Sequence, residues 1–242
     1  MDAICVREDI SRHTLAKLGI KNPVFSLIDM AFFFEAKSIS ANPLKPPVIG
    51  VSPCFVTGMS DDEKKSYIKA LSGALSKLQQ NHNASIVFLP SQTRQGKAMV
   101  VSKRQDDCAA SRIIQKNLAE LIGSDQVETV VTDSVDDFVS LLANLNMLIA
   151  TRMHPTIFAA GKAVPFVEII YEHKQIGLLD TLHMQDLGVS VNEITVEKLL
   201  AKAEYVWTNR TQLSKRLIDR VSELRAQHKP VIEKLITSLI ED

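Results

Sequence analysis

The chain has 242 residues, 45% of them apolar, and a mean hydropathy of +0.04. This length and composition support one large hydrophobic core or two modest ones, and they exclude disordered and fibrous classes. Basic and acidic residues both number 28, so no net positive field exists to collect nucleic acid or anionic lipid. Aromatic residues are scarce, which also argues against a base-stacking platform. We therefore expect a small charged ligand and no nucleic-acid partner.

The first 45 residues predict a small βαβ unit followed by a linker. Apolar runs predict strands at 4–6 and 24–28, and a helix at 11–18 lies between them. Segment 42–47 contains three prolines, which have no backbone N–H to donate in a helix or a sheet, so we predict that this segment is a linker. A unit of this size cannot form its own core. We expect residues 1–45 to be the remnant of a truncated N-terminal domain and residues 46–242 to form the C-terminal domain.

The rest of the chain alternates short apolar runs with longer helical patterns. Strands are predicted at 48–52, 85–89, 127–132, 147–151 and 164–170, and crossover helices at 61–80, 107–122 and 135–144. This alternation is typical of parallel βαβ units and predicts a doubly wound, Rossmann-like α/β fold. From residue 196 an apolar stripe predicts C-terminal helices, and Pro230 is expected to kink or divide them.

The most informative polar residues follow the strand predicted at 147–151. Arg152 and His154 come directly before a helix whose early proline, Pro155, is tolerated in a first turn. Doubly wound sheets bind ligands at the carboxyl ends of their strands, and a helix amino terminus attracts anions. The sequence therefore predicts an anion site at Arg152 and His154. The alternative is that Arg152 pairs with a surface carboxylate and His154 is bonded locally at the start of a helix.

Two further segments add candidate binding residues. Tyr171 and Lys174 follow the strand at 164–170, so they are expected at the same edge of the sheet, with Lys174 as a second anion contact. Their neighbours Glu172 and His173 are either acceptor contacts or parts of a charged turn that starts a helix. Arg7 follows the first predicted strand, and taken alone it could equally form a surface ion pair.

Other chemistry has little support. The three cysteines are widely spaced, the remaining histidines lack partners at metal-ligand spacing, and no Walker-type loop is present. We expect no metal and no cofactor. The first residues lack the pattern of a secretory signal and no apolar run reaches membrane-spanning length, so we expect a cytoplasmic protein with no transmembrane segment.

Taken together, these motifs resemble the polysaccharide pyruvyl transferases, whose fold is similar to that of the two-domain GT-B glycosyltransferases. The specific parts are the Arg-x-His segment at Arg152 and His154 and the Tyr-x-x-Lys segment at Tyr171 and Lys174. The remaining parts are Val6-Arg7-Glu8-Asp9, Asp29-Met30-Ala31-Phe32 and the residues Ser11, Gly19, Gly161, Pro165 and Gly177. The chain departs from the family at Met30, Met153 and Ser91, where relatives commonly have proline, leucine and histidine.

The resemblance implies transfer of pyruvate from phosphoenolpyruvate onto two hydroxyls of a sugar in polysaccharide or cell-surface glycan biosynthesis. In this reading His154 is the general acid/base and Arg152 the clamp for phosphate or carboxylate, while Arg7, Lys174 and Tyr171 bind substrate. The partners are the donor and a glycan or lipid-linked sugar acceptor, and a separate chain supplying the other half, or a homo-oligomer, is left open. The alternatives are a nucleotide-sugar glycosyltransferase or epimerase of GT-B type, and a noncatalytic binding module.

Overall fold

The N-terminal part of the structure is a small parallel βαβ unit. The computed structural model describes residues 4–7, 9–36, 47–92, 106–123 and 126–240. Within the first of these, β1 (Ile4–Val6) pairs in parallel with β2 (Val24–Ser26), and α1 (Asp9–Lys17) connects them. These elements confirm the predicted βαβ order. A short 3-10 helix, Met30–Phe33, follows and packs against the larger part of the protein.

A six-stranded parallel sheet forms the centre of the molecule. Its strands are β3 (Val48–Ser52), β4 (Ser85–Phe88), β5 (Val127–Thr129), β6 (Met147–Ala150), β7 (Phe166–Ile170) and β8 (Gly188–Ser190). Their order across the sheet is β5-β4-β3-β6-β7-β8, and every pair is parallel. The order reverses between β3 and β6, which makes the sheet doubly wound, as predicted.

Helices cover both faces of this sheet. They are α2 (Asp61–His82), α3 (Asp107–Ile122), α4 (Val135–Leu142), α5 (Met153–Gly161), α6 (His173–Leu182), α7 (Val196–Thr208) and α8 (Arg210–Ile240). One layer contains α2, α3 and α7, and the other contains α4, α5 and α6 with α8 against them. All residues of β3 and β6 are consequently buried, which is why these strands are continuous apolar runs and not alternating patterns.

The local sequence explains where the helices begin and how closely they pack. At the start of α2, the Ser60 hydroxyl accepts from the Glu63 amide, and the Glu63 carboxylate accepts from the Ser60 amide at 2.7 Å. Farther along α2, Gly73 lets α7 approach, since a Cβ at this position would lie 2.7 Å from Cγ2 of Val196. Glycine is therefore a packing requirement at this point of α2.

Several expectations need correction. The sheet has a sixth strand, β8, that the sequence did not predict. Pro230 lies inside α8, so the expected division of the helix is wrong, while a kink at this residue stays a prediction. The predicted linker at 42–47 lies outside the described residues apart from Pro47. The division of the chain at residues 45 and 46 stays a prediction, although Ile28 and Phe32 join the same hydrophobic core as the large sheet. No helix in the described part of the chain is long and apolar enough to cross a membrane.

Candidate active site

The point where the strand order reverses carries the candidate site. β3 and β6 are neighbours, but the strands that follow β3 in the chain lie toward one edge of the sheet and those that follow β6 lie toward the other. A crevice therefore opens beyond the carboxyl ends of β3 and β6. Arg152 lies two residues beyond β6 and occupies the N-cap position of α5 without a side-chain cap. The first backbone amides of α5 consequently have no side-chain acceptor at the cap and can donate hydrogen bonds to an anion.

A cleft of about 520 Å³ lies above this edge, and it falls within the size range of small-molecule sites. All five residues that the sequence predicts for the site line it: Arg7, Arg152, His154, Tyr171 and Lys174. They meet because the carboxyl ends of parallel strands share one edge, and because the N-terminal unit brings Arg7 to the same place. The structure thus brings the predicted residues together, while their roles remain predictions.

Arg152 is held by a buried carboxylate. Its Nε donates to both carboxylate oxygens of Asp107, at 2.9 and 2.8 Å, and a terminal nitrogen lies 2.8 Å from Oδ1. Asp107 is only 1% exposed and also accepts from the Ser91 hydroxyl and the Gln92 amide. Burial raises the pKa of Asp107, and the contacts with Arg152 and these donors oppose that rise. The alternative that Arg152 pairs with a surface carboxylate is therefore wrong in its location, because the partner is buried and fixes the guanidinium in one orientation.

A second carboxylate connects the N-terminal unit to α5. Oδ2 of Asp29 accepts from Arg7 at 2.9 Å and lies 3.8 Å from Nε2 of His154. Its other oxygen accepts from the Ala31 amide and so caps the 3-10 helix. Partial burial lowers the pKa of His154, and the negative charge of Asp29 opposes that lowering. The positive charges of Arg7 and Lys174 lower the pKa further. His154 is 58% exposed, and the lowering of its pKa favours the neutral imidazole.

The third group of side chains follows β7. Nζ of Lys174 lies 2.8 Å from Oε2 of Glu172 and 6.0 Å from the ring centroid of Tyr171. Glu172 is also the N-cap of α6, and His173 is the first residue of that helix. For these two residues the structure agrees with the charged turn that starts a helix. Burial raises the pKa of Tyr171, so its hydroxyl keeps its proton and can donate to a ligand.

A buried polar network supports the floor of the site. The fully buried Glu168 on β7 accepts from the Thr156 hydroxyl on α5 and from the Gln175 amide on α6. Gln175 also donates to the carbonyl of Thr151, and its own oxygen accepts from the Tyr171 amide. Burial raises the pKa of Glu168 to about 8. This network joins the residue before Arg152 to the backbone of Tyr171, and it consequently sets the relative positions of α5 and α6.

Sequence reasoning missed the residues that orient the site. Asp107 looks like an ordinary acidic residue in a first helical turn, and its partner Arg152 lies 45 positions later, so no local pattern connects them. Asp29 is part of the quoted motif but was not assigned a role. His82 was expected to lack partners at metal-ligand spacing, and no pattern in the sequence indicated that its ring contacts Glu204 at 2.7 Å and stacks on Trp207. Within the described ranges, no group of three or more histidine, cysteine or acidic residues is arranged to bind a metal ion.

Comparison with known sequences decides the family. Residues 2–173 match the family described as polysaccharide pyruvyl transferase, which is well over half of the chain. The chain belongs to this family. Among curated proteins, this polysaccharide pyruvyl transferase family member is 24% identical over 130 residues to the amylovoran biosynthesis protein AmsJ of Erwinia amylovora. That match covers 53% of this chain and 31% of AmsJ.

Solved structures confirm the fold of this family member. Sucrose-phosphate synthase from Thermosynechococcus elongatus superposes with a TM-score of 0.63 at 14% identity, covering 99% of this chain and 59% of that one. A UDP-N-acetylglucosamine 2-epimerase described as putative, from Listeria monocytogenes, gives 0.61 at 10% identity, covering 96% and 60%. These likenesses concern the fold alone and agree with a Rossmann-like α/β fold of GT-B type. The chain thus spans less than two thirds of each of these proteins.

Proposed function

We propose that the protein transfers pyruvate from phosphoenolpyruvate to two hydroxyls of a sugar, forming a cyclic ketal and inorganic phosphate, in exopolysaccharide biosynthesis. The observation that carries this proposal is the convergence of Arg7, Arg152, His154 and Lys174 on one cleft at the reversal point of the sheet. Membership of the family and the similarity to an amylovoran biosynthesis protein support the choice of reaction. The donor carries a phosphate and a carboxylate, and both suit a cleft with several cationic side chains.

Arg152 is the side chain best prepared to bind the donor. Asp107 fixes its guanidinium, so little further rotamer entropy is lost when a ligand binds. Arg7 and Lys174 line the same cleft, and each is paired with a carboxylate, Asp29 or Glu172. A donor anion would compete with these carboxylates for the two cations. Tyr171 supplies a neutral hydrogen-bond donor at the same edge.

His154 is the candidate for proton transfer. Bound phosphate raises the pKa of a nearby imidazole, so donor binding would favour the protonated form of His154. The imidazolium then protonates the methylene carbon of the donor, and the first sugar hydroxyl attacks the neighbouring carbon and returns its proton to His154. The bond from that carbon to the phosphate oxygen breaks next. The second hydroxyl attacks in turn, and its proton leaves with the phosphate, so the atoms and charges balance.

A phosphate-release assay tests the proposal. Wild-type protein is incubated with phosphoenolpyruvate and glycan acceptors, and the ketal is detected by mass spectrometry. We expect His154→Ala to lower turnover by about 100-fold or more, since a positioned acid/base contributes that much. His228→Gln, on α8 and outside the cleft, is the control. Undiminished turnover of His154→Ala would remove His154 from the mechanism.

Two alternative functions have distinct signatures in the same preparation. Stabilisation against heat by UDP, and none by phosphoenolpyruvate, would indicate a nucleotide-sugar enzyme, because a ligand that binds only the native state raises its stability. Binding of phosphoenolpyruvate with no transfer to any glycan would indicate a binding module. Either result contradicts the proposed reaction for this chain.

A further inference from the structure

One end of the cleft differs in charge from the rest. Beyond β5 the chain forms a turn at Thr132, Asp133 and Ser134 that lines the cleft and leads into α4. Ser134 is the N-cap residue of α4, and its hydroxyl accepts from the Asp137 amide at 3.0 Å. Asp133 is exposed, and of the described residues that line the cleft it is the one carboxylate.

The carboxylates near the cationic end are all engaged. Asp29 holds Arg7, Asp107 holds Arg152 and Glu172 holds Lys174. Asp133, by contrast, makes no hydrogen bond or ion pair with any residue in the part of the chain that the structure describes. Its oxygens are therefore available to donors from a ligand.

The sheet topology places Asp133 and the cationic residues after different strands. Asp133 follows β5, which is an edge strand, whereas Arg152 and His154 follow β6, three positions away in the strand order. Phosphoenolpyruvate carries a phosphate and a carboxylate, so a negative side chain repels it at the β5 end and cations attract it at the β6 end. The volume of the cleft exceeds what a three-carbon donor fills, and the β5 end is therefore left for the second substrate.

The other residues at the β5 end suit a sugar. Val135 is 51% exposed, and it lines the cleft with Pro90 and Phe138, which provides an apolar surface for the C–H face of a ring. Asp133 provides charged acceptors for hydroxyl donors, and such charge-assisted hydrogen bonds are stronger than neutral ones. A neutral ring with several hydroxyls matches this combination, whereas a second anion does not.

We propose that the β5 end of the cleft, built around Asp133, is the acceptor subsite and binds the hydroxyls of a neutral sugar unit. This proposal rests on the proposed function, because it divides that cleft between donor and acceptor. Asp133 accepts hydrogen bonds from the sugar, and in doing so it orients the hydroxyl pair toward the donor at Arg152 and His154. It is a binding residue and takes no part in proton transfer.

Kinetics with both substrates test the subsite. We expect Asp133→Asn to raise the KM for the acceptor by about 10- to 100-fold, since a hydrogen bond to a charged group is lost, while the affinity for phosphoenolpyruvate stays within about twofold of wild type. Asp219→Asn, an exposed substitution on α8, is the matched control. Thermal unfolding of both variants shows whether the fold is intact. An unchanged acceptor KM, or a selective loss of donor binding, would overturn the proposal.

A binding experiment separates this proposal from the proposed reaction. If the wild type turns over no phosphoenolpyruvate, the reaction fails, and saturation-transfer NMR then probes methyl β-galactopyranoside, methyl β-glucopyranoside and methyl α-mannopyranoside without a donor. We expect transfer from wild type and from Asp219→Asn to at least one glycoside, and loss of it in Asp133→Asn. Equal signals from Asp133→Asn and wild type, or no binding by wild type, would overturn the subsite.

Discussion

At the residue scale, the site consists of cations that are each paired with a carboxylate. Arg152 lies against the buried Asp107, and the 3.8 Å between Asp29 and His154 connects the proposed proton carrier to the pair that Asp29 makes with Arg7. Pairing fixes the side chains in position, and it also cancels much of the local charge. A cluster of basic residues therefore need not produce a strong positive field, in keeping with the zero net charge of the chain.

The Arg152 and Asp107 pair makes a prediction about stability. Arg152→Met leaves a buried carboxylate without its cation, and we expect a loss of about 3 kcal/mol in the free energy of unfolding, measured with urea. The double variant Arg152→Met with Asp107→Asn should be less destabilised, because a neutral amide costs less to bury and still accepts from the Gln92 amide. Losses that simply add in the double variant would contradict this coupling.

The surroundings of His154 make a prediction about its titration. We expect the ring proton signals of His154 to titrate in NMR with a midpoint below 6.5, and the midpoint to fall further in Asp29→Asn, because the carboxylate stabilises the imidazolium. Lys174→Met should move it upward, because a positive charge is removed. His228 serves as an internal control, since burial and Arg220 lower its pKa and neither Asp29 nor Lys174 contributes. Shifts of the opposite sign would show that other groups control this imidazole.

The candidate binding residues could be predicted from the sequence, but the carboxylates around them could not. Arg152 and His154 were recognisable because a buried strand, two polar residues and a helix start follow one another in the sequence. Asp107 and Asp133 were not recognisable, because their significance comes from which strands become neighbours and not from any local pattern. Long-range pairing of this kind is decided by packing.

At the scale of secondary-structure elements, the apolar strands of the large sheet were the most predictable features. β3 was predicted with its observed bounds, and α3 likewise, because each has a sharp change of pattern at both ends. β8 was missed because it is an edge strand of three residues, with β7 as its one neighbour among the described strands, and so short a segment has little periodicity. Elements that depend on a single neighbour carry the weakest sequence signal.

The contact of α2 with α7 makes a prediction at this scale. Gly73→Ala would normally favour an exposed helix by about 1 kcal/mol, but at this position the added Cβ meets the stiff, branched Val196. We expect a destabilisation of about 1 to 3 kcal/mol in urea unfolding, and recovery of most of it when Val196→Ala is added. Gly161→Ala is the matched control, since its Cβ would have an ordinary contact at 3.7 Å. Equal effects of the two alanine substitutions would refute the packing argument.

At the scale of the whole molecule, Glu168 makes stability depend on pH. Its folded pKa of about 8 lies above the ordinary 4.5, so between these values the folded state holds more protons than the unfolded state. The free energy of unfolding therefore falls as pH rises through this window, by up to about 1.4 kcal/mol per pH unit from this group. Below about pH 4.5 the stabilisation from Glu168 is fully present, and above about pH 8 the free energy of unfolding loses nothing more from this group.

A variant that cannot titrate tests this dependence. We expect Glu168→Gln to gain stability relative to wild type as the pH is raised from 5 to 8 in urea unfolding series, because the amide keeps the buried position neutral. Glu120→Gln, an exposed substitution on α3, should keep the wild-type slope. Parallel curves for Glu168→Gln and wild type would show that the buried carboxyl does not hold its proton in this range.

The reversal of strand order also governs how the molecule folds. β3, β4 and β5 pair with near neighbours in the chain, as do β6, β7 and β8, but the seam between β3 and β6 joins residues 98 positions apart, as in the bond from Val48 to Asn146. Closing so long a loop is slow, so we expect two half-sheets to form before they dock. Asp107 belongs to one half and Arg152 to the other. In stopped-flow refolding, the ability to bind an anion should therefore appear after most of the helical signal.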